Sequence, residues 1–391
     1  MNTRRIFFGA SLVVLAALVG AALAGSGVFS LNTQSPLIVA EKKTENVKIV
    51  ENITVPRPQQ PESAVTTSVS STESRTPDLV EYAGPIQHVF FHSLIIYPEK
   101  ALADAKNVVG YKANMITVSQ FKQVLEQLYK NNFILIDTTV LYSVDEKGNM
   151  SRAALRLPAG KKPLILSVDD LSYYSYMKNG GFARKLVVED SAVKTEVVTP
   201  TGKIVVTADG DVVPIVDAFV KNHPDFSFNG AKGIIAVTGF EGVLGYRTNV
   251  KGKRGDRARS DVAAVVEALK KSGWIFASHS YSHNQVFLRK TITKDFLDND
   301  ISRWKKQVEP VVGQTNIFIG PFGQVFSEKD PRRKQLLDAG FTVLYGVGMD
   351  GYLKFFNHHL VMNRVNIDGY RLSHNQKKLK DLFGIVVGAD F

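Results

Sequence analysis

The chain has 391 residues and no cysteine; 48 Lys and Arg stand against 37 Asp and Glu, giving a formal net charge of +11. A disulfide framework and a thiolate metal site are therefore excluded, and any metal must be held by His, Asp, Glu or backbone oxygen. The apolar fraction of 44% suits a chain with a full core, and the basic surplus favours polyanionic surroundings such as an anionic wall or membrane. The basic residues are scattered, with short clusters such as KGKRGDRAR (Lys251 to Arg259), and they match no nucleic-acid motif, so nucleic acid is not an expected partner.

Residues 1–25 read as a secretory signal or a retained membrane anchor. Arg4 and Arg5 precede an uncharged apolar run from Ile6 to Ala24. Ala22-Leu23-Ala24 before Gly25 has the small-x-small form of a signal-peptidase site. The run is long for a signal core and near the minimum for a membrane span, which leaves both forms open. Either one sends the rest of the chain out of the cytoplasm, secreted or anchored. Residues 26–84 are rich in Ser, Thr, Pro and Gln and poor in aromatics, the composition of a disordered linker. Residues 85–391 form the expected folded domain.

Within that domain strands and helices alternate. HVFFHSLII (His88 to Ile96) reads as a strand. The spacing of Phe121, Val124, Leu125 and Leu128 predicts a helix, with Thr117 and Gln120 as its capping box. Strands follow at Phe133 to Asp137 and Pro163 to Val168. Leu186 to Ala208, with TPTG at its centre, reads as an inserted β-hairpin. A helix ending at Pro224, a strand at Gly233 to Gly239, and a helix capped by Ser260 come next. The remaining strands are Trp274 to Ser278, Asn316 to Gly320, Phe341 to Val347 and Leu360 to Ile367. This pattern implies an α/β fold, a distorted parallel (β/α) barrel of about seven strands carrying the inserted hairpin.

Functional groups of such barrels sit where strands end. LILSVDDLSYY places Asp169 and Asp170 side by side after an apolar strand, an arrangement that costs free energy unless a cation compensates it. SHSYSH puts His279 and His283 four apart after WIFA, so that one helical turn would point both the same way. A carboxylate with two imidazoles is a ligand set for catalytic zinc, and cobalt or manganese can occupy it too. His92 in VFFHSL and the segment GPFG (Gly320 to Gly323) end two further strands.

These motifs resemble the polysaccharide deacetylases, the carbohydrate esterase family 4 with its NodB-like domain. SVDD matches the first motif of that family and HSYSH the second, in the same order and each after a strand. The resemblance implies that Asp169 is the catalytic base. It also implies that Asp170, His279 and His283 hold a divalent metal, zinc above all. A backbone N–H at Phe322 would bind the oxyanion. Where the third motif carries an arginine this chain has Ile319, with Pro321 and Gly323 kept, and Arg364 on VMNRVNI is the candidate to replace it. The family's tryptophan-bearing motif is not evident. His374 has no clear match to the usual acid, whereas VFFHSL is similar to the early-strand motif of permuted deacetylases acting on poly-N-acetylglucosamine. His92 is therefore the expected general acid.

The function implied is removal of N-acetyl groups from a cell-surface or cell-wall glycan, peptidoglycan or poly-N-acetylglucosamine, outside the cytoplasm. Two other readings are a carbohydrate-binding pseudoenzyme, prompted by the missing arginine, and an O-acetyl esterase with the same site.

Overall fold

The computed structural model describes residues 78–178 and 180–388. The expected signal or anchor, and the linker as far as residue 77, lie outside the described residues. No described helix is long and apolar enough to cross a membrane. Strand pairing begins before residue 85: Leu79–Glu81 runs antiparallel to Arg156–Pro158, within the last residues of the segment expected to be linker.

Seven parallel strands close into a barrel. They are β1 (Gln87–Phe91), β2 (Lys162–Val168), β3 (Gly233–Val237), β4 (Trp274–Ser278), β5 (Ile317–Ile319), β6 (Val343–Val347) and β7 (His359–Asn366). Each pairs with the next in sequence, and β7 pairs with β1 to complete the ring. Phe133–Leu135 adds to β2 from outside, and Leu353–Phe356 adds antiparallel to β7. The longer helices are α1 (Val118–Lys130), α2 (Val212–Asn222), α3 (Lys253–Lys271), α4 (Lys294–Gln307), α5 (Pro331–Asp338) and α6 (Gln376–Phe383).

The wall follows the two-residue alternation of a strand. Leu164, Leu166 and Val168 of β2 belong to the large core that also contains Phe121, Val124 and Leu128 of α1. Ile165 of the same strand joins a second core with Ile234, Ala277 and Met362. The capping box of α1 forms as expected: the Gln120 N–H donates to Thr117 Oγ1 at 3.1 Å and the Thr117 N–H to Gln120 Oε1 at 2.8 Å.

Three local expectations need correction. The insertion is a three-stranded antiparallel sheet, Ala183–Glu189, Ala192–Val198 and Ile204–Thr207, so a third strand joins the hairpin. Ser260 does not cap α3, which starts at Lys253 after Gly252, so the basic cluster makes up its first turns. The strand expected through Ile96 ends at Phe91, because the chain turns at the barrel mouth to make the site.

Candidate metal and catalytic site

The strand register assembles the site. Phe91 of β1 lies opposite Val168 of β2, and the Asp169 N–H donates to the Phe91 carbonyl at 2.8 Å. His92 and Asp169 therefore leave adjacent strands side by side. On the next two strands Val237 of β3 pairs with Ser278 of β4, and the His279 N–H donates to the Val237 carbonyl at 3.0 Å. Ser278 also pairs with Phe318, which brings Ile319 alongside His279.

Asp170, His279 and His283 each present one ligand atom, and these atoms lie within 4.8 Å of one another. His279 Nε2 is 4.0 Å from Asp170 Oδ1, and His283 Nε2 is 3.7 Å from Asp170 Oδ2. The His279 Nδ1–H donates to the Ile319 carbonyl at 2.8 Å, which fixes the tautomer and leaves the Nε2 lone pair toward the carboxylates. Burial, opposed by Asp170 and aided by His279 and His92, holds His283 at about 4, so its imidazole is neutral at physiological pH. Burial pushes Asp170 up, yet His283, His279, His92 and the Tyr174 hydroxyl together bring it below the usual carboxylate range. Two imidazoles gathered on one ionised carboxylate fit a divalent cation, zinc included.

Asp169 stands apart from this set. Its two oxygens accept from Arg364 Nη1 and Nη2 at 2.7 and 2.9 Å, a bidentate pair whose guanidinium is fully buried. Burial raises Asp169, but Arg364, with His279 and His92 adding to it, outweighs burial and brings the carboxyl to about 2. Arg364 also donates to Ser167 Oγ at 3.0 Å and sits 4.1 Å from the Phe90 ring centroid. Arg364 thus reaches Asp169 from β7, whereas Ile319 lies on β5.

The two histidines do not converge through a helical turn, as expected from their spacing. Residues 279–283 form a bend in which Ser280 and His283 adopt left-handed φ of 58° and 43°. Asp300 of α4 holds the bend: it accepts from the Tyr281 N–H at 2.7 Å, the Ser282 N–H at 3.0 Å and the Ser282 hydroxyl at 2.5 Å. Asp170 and Phe322 are also left-handed, at 59° and 54°. Such residues cost about 1–3 kcal/mol each and persist only where the surroundings fix them. For Asp170 the fixing contact is the Tyr174 hydroxyl, which donates to Oδ1 at 2.5 Å and lies 2.8 Å from Thr238 Oγ1. The Phe322 ring lies 4.5 Å from His283, which places this residue at the site.

His92 is partly exposed, and its charge lowers the pKa of Asp169 and of Asp170. Its Nδ1 is buried with no hydrogen-bond partner among the described residues. His374 is elsewhere, stacked on Tyr370 in a short surface helix.

Tyr174, Thr238 and Asp300 were not legible as site residues. Only Asp300 carried a signal: it sits on the buried stripe of α4 with Leu297, Ile301 and Trp304, and a carboxylate on an apolar stripe needs a partner.

No family model matches the sequence. No curated protein matches it either. Among solved structures, the BpsB deacetylase domain from Bordetella bronchiseptica is similar over 75% of this chain and 98% of that one, at 12% identity and a TM-score of 0.37.

Proposed function

We propose that this chain is a metal-dependent hydrolase that removes N-acetyl groups from a cell-surface or cell-wall glycan. One observation carries the reading. A three-donor set and a separate ionised carboxylate stand together at the barrel mouth, and the second carboxylate is held beside the first by a buried arginine. Burying such an ion pair is a poor way to gain stability, so its position beside the donor set argues for chemistry.

Asp170, His279 and His283 would hold the metal, zinc by preference, which would polarise the acetyl carbonyl and acidify a water. Asp169 takes the proton of the attacking water. Arg364 keeps that carboxylate ionised and aimed. The Phe322 N–H faces the developing oxyanion. His92, on the adjacent strand end, delivers a proton to the departing amine. The basic charge and the apolar run near Arg4 and Arg5 support action outside the cytoplasm, by a secreted or membrane-anchored protein. Peptidoglycan and poly-N-acetylglucosamine both present the acetamide this site requires.

The test is acetate release from purified N-acetylated and O-acetylated glycans, by zinc-loaded protein and after chelation. Release from N-acetylated glycan that chelation abolishes is expected. Release from O-acetylated glycan alone would reassign the site to ester cleavage, and absence of release from every glycan would end the hydrolase reading.

A further inference from the structure

The inserted sheet and the basic first turns of α3, two segments that the chemistry above does not use, meet in a second cleft. The loop after β3 joins them. Its Leu244 carbonyl accepts from the Leu186 N–H at 3.2 Å, and its Tyr246 hydroxyl donates to the Leu186 carbonyl at 3.0 Å. Gly245 between them lies at φ 89°, where a Cβ would stand 2.4 Å from the Arg184 carbonyl oxygen, so only glycine allows this approach. Arg259 of α3 donates to the Thr248 carbonyl of the same loop. The three elements border a cleft of about 320 Å³, within the size range of clefts that take small ligands, roughly 300–1,000 Å³.

Five cations line this cleft, Arg184, Lys185, Arg247, Arg254 and Arg257, against two carboxylates, Glu196 and Asp261. Arg247 is engaged on the Tyr173, Ser172 and Glu241 carbonyls at 2.7, 3.2 and 2.6 Å, with the Glu241 carboxylate 3.7 Å away. The other four are loosely held. Glu196 is shared, 3.3 Å from Arg184 Nη1 and 3.4 Å from Lys185 Nζ. Arg257 Nε stands 3.6 Å from Asp261 Oδ2. A charge-assisted hydrogen bond runs at about 2.7–2.9 Å, so none of these contacts is one. Arg254 has no carboxylate partner among the described residues. Setting Glu196, Asp261 and Glu241 against the five cations leaves two positive charges uncompensated. Like charges drawn together repel, and exposed ion pairs of this length return little.

We propose that this cleft binds phosphate groups, held by Arg184, Arg254 and Arg257 with Lys185. The guanidinium is a planar fork of donors that matches two phosphate oxygens at once, and lysine adds a point charge. Two uncompensated charges match one phosphate monoester or two neighbouring diesters of a polymer. The Arg257 side chain is 84% exposed and that of Lys185 33% exposed, so the site opens to solvent, as a polymer or a headgroup requires. A soluble anionic polymer and a lipid headgroup present the same phosphate oxygens. No residue of the metal set lines the cleft, so the site does not depend on the hydrolase reading.

The test is equilibrium binding to the full-length protein, followed by calorimetry at two ionic strengths. The probes are inorganic pyrophosphate, a glycerol-phosphate oligomer and phosphatidylglycerol vesicles, with polyglutamate as a carboxylate control. Pyrophosphate and the oligomer should bind, more weakly at the higher salt. Arg254→Gln with Arg257→Gln should weaken both about tenfold or more. Both residues are exposed and glutamine suits a helix, and circular dichroism checks the fold. Lys270→Gln with Lys271→Gln removes the same charge from the other end of α3 and should leave binding unchanged. An equal loss in the two double variants would overturn the site, because net charge alone would then explain binding. So would polyglutamate bound as tightly as the oligomer, or no binding by any phosphate probe. A loss confined to the Arg254 and Arg257 variant upholds the site, and its size on the oligomer against its size on vesicles tells the polymer from the headgroup as source.

Discussion

The outer wall of the barrel and its mouth are built on different terms. Along the wall, Leu164, Leu166 and Val168 face the helices in a regular alternation, and the backbone stays in ordinary strand geometry. At the mouth the same strand runs into Asp169 and Asp170, and left-handed non-glycine residues appear, among them Asp170, Tyr173, Ser280, His283 and Phe322. The wall is held by apolar area, at roughly 25 cal/mol per Å² removed from water. The mouth is held by directed contacts to single atoms, from Arg364, Tyr174 and Asp300. Packing tolerates substitution gradually, while a strained and charged mouth fails one contact at a time.

The sharpest way to break this contrast is at the mouth. His279→Ala and His283→Ala should each lose bound metal and reduce acetate release to background. Asp169→Asn and His92→Ala should keep the metal and lower turnover by about 10²-fold or more. The His92 effect should shrink on aryl acetates, whose leaving groups need no proton. Metal analysis beside turnover separates the two classes, and loss of metal in Asp169→Asn equal to that in Asp170→Asn would erase the distinction between base and ligand.

The wall was the legible part of this molecule. Strand runs and helical spacing report burial, and burial is written locally as apolar periodicity. All seven barrel strands overlap segments read as strands, with boundaries that differ by a few residues. The acidic pair and the two histidines were legible as well, because chemistry demands those residue types at strand ends. Their supports were harder to read. Arg364 reaches Asp169 across 195 positions, and nothing local to VMNRVNI marks its direction. The histidine bend mimics a helical spacing, yet two left-handed residues and Asp300 set its shape. Contacts between distant loops are fixed by barrel closure, which single-chain periodicity does not encode.

A paired substitution sharpens the comparison at intermediate size. Leu166→Ala on the wall should cost about 2–5 kcal/mol of stability through the cavity it leaves. The folded fraction should keep its turnover. Arg364→Gln should cost about 3–5 kcal/mol, since it strands a buried carboxylate. Burial would then raise the Asp169 pKa, so the acid limb of turnover should move to higher pH. Urea unfolding with pH–rate profiles measures both, and an unmoved acid limb in Arg364→Gln would detach Arg364 from the tuning of Asp169.

The smallest effect concerns Asp211, a buried carboxyl behind the mouth. Its Oδ1 accepts from the Val212 N–H at 2.8 Å, capping α2, and from the Leu94 N–H at 3.1 Å, two residues past His92. No cation pairs with it among the described residues. Burial therefore outweighs the Val212 and Leu94 N–H donors and the nearby Tyr173 and Ser93 hydroxyls, and raises it to about 6. The sign is opposite to that of Asp169. The folded state holds the Asp211 proton more tightly than the unfolded chain, whose carboxyl titrates near about 3.9. The stability contributed is thus full below about pH 4 and lost as pH rises through about 6, by about 3 kcal/mol in total. The Asp169 contribution is constant in that window, because it disappears only as pH falls from about 4 through about 2. Asp211→Asn keeps the Oδ1 acceptor and removes the titration. Relative to wild type, the variant should gain stability steadily between about pH 4 and 6, and the groups common to both proteins cancel in that difference. Parallel stability curves from urea unfolding across this range would show that Asp211 is ionised throughout, with the hydroxyls of Ser93 and Tyr173 sufficient to replace the missing cation.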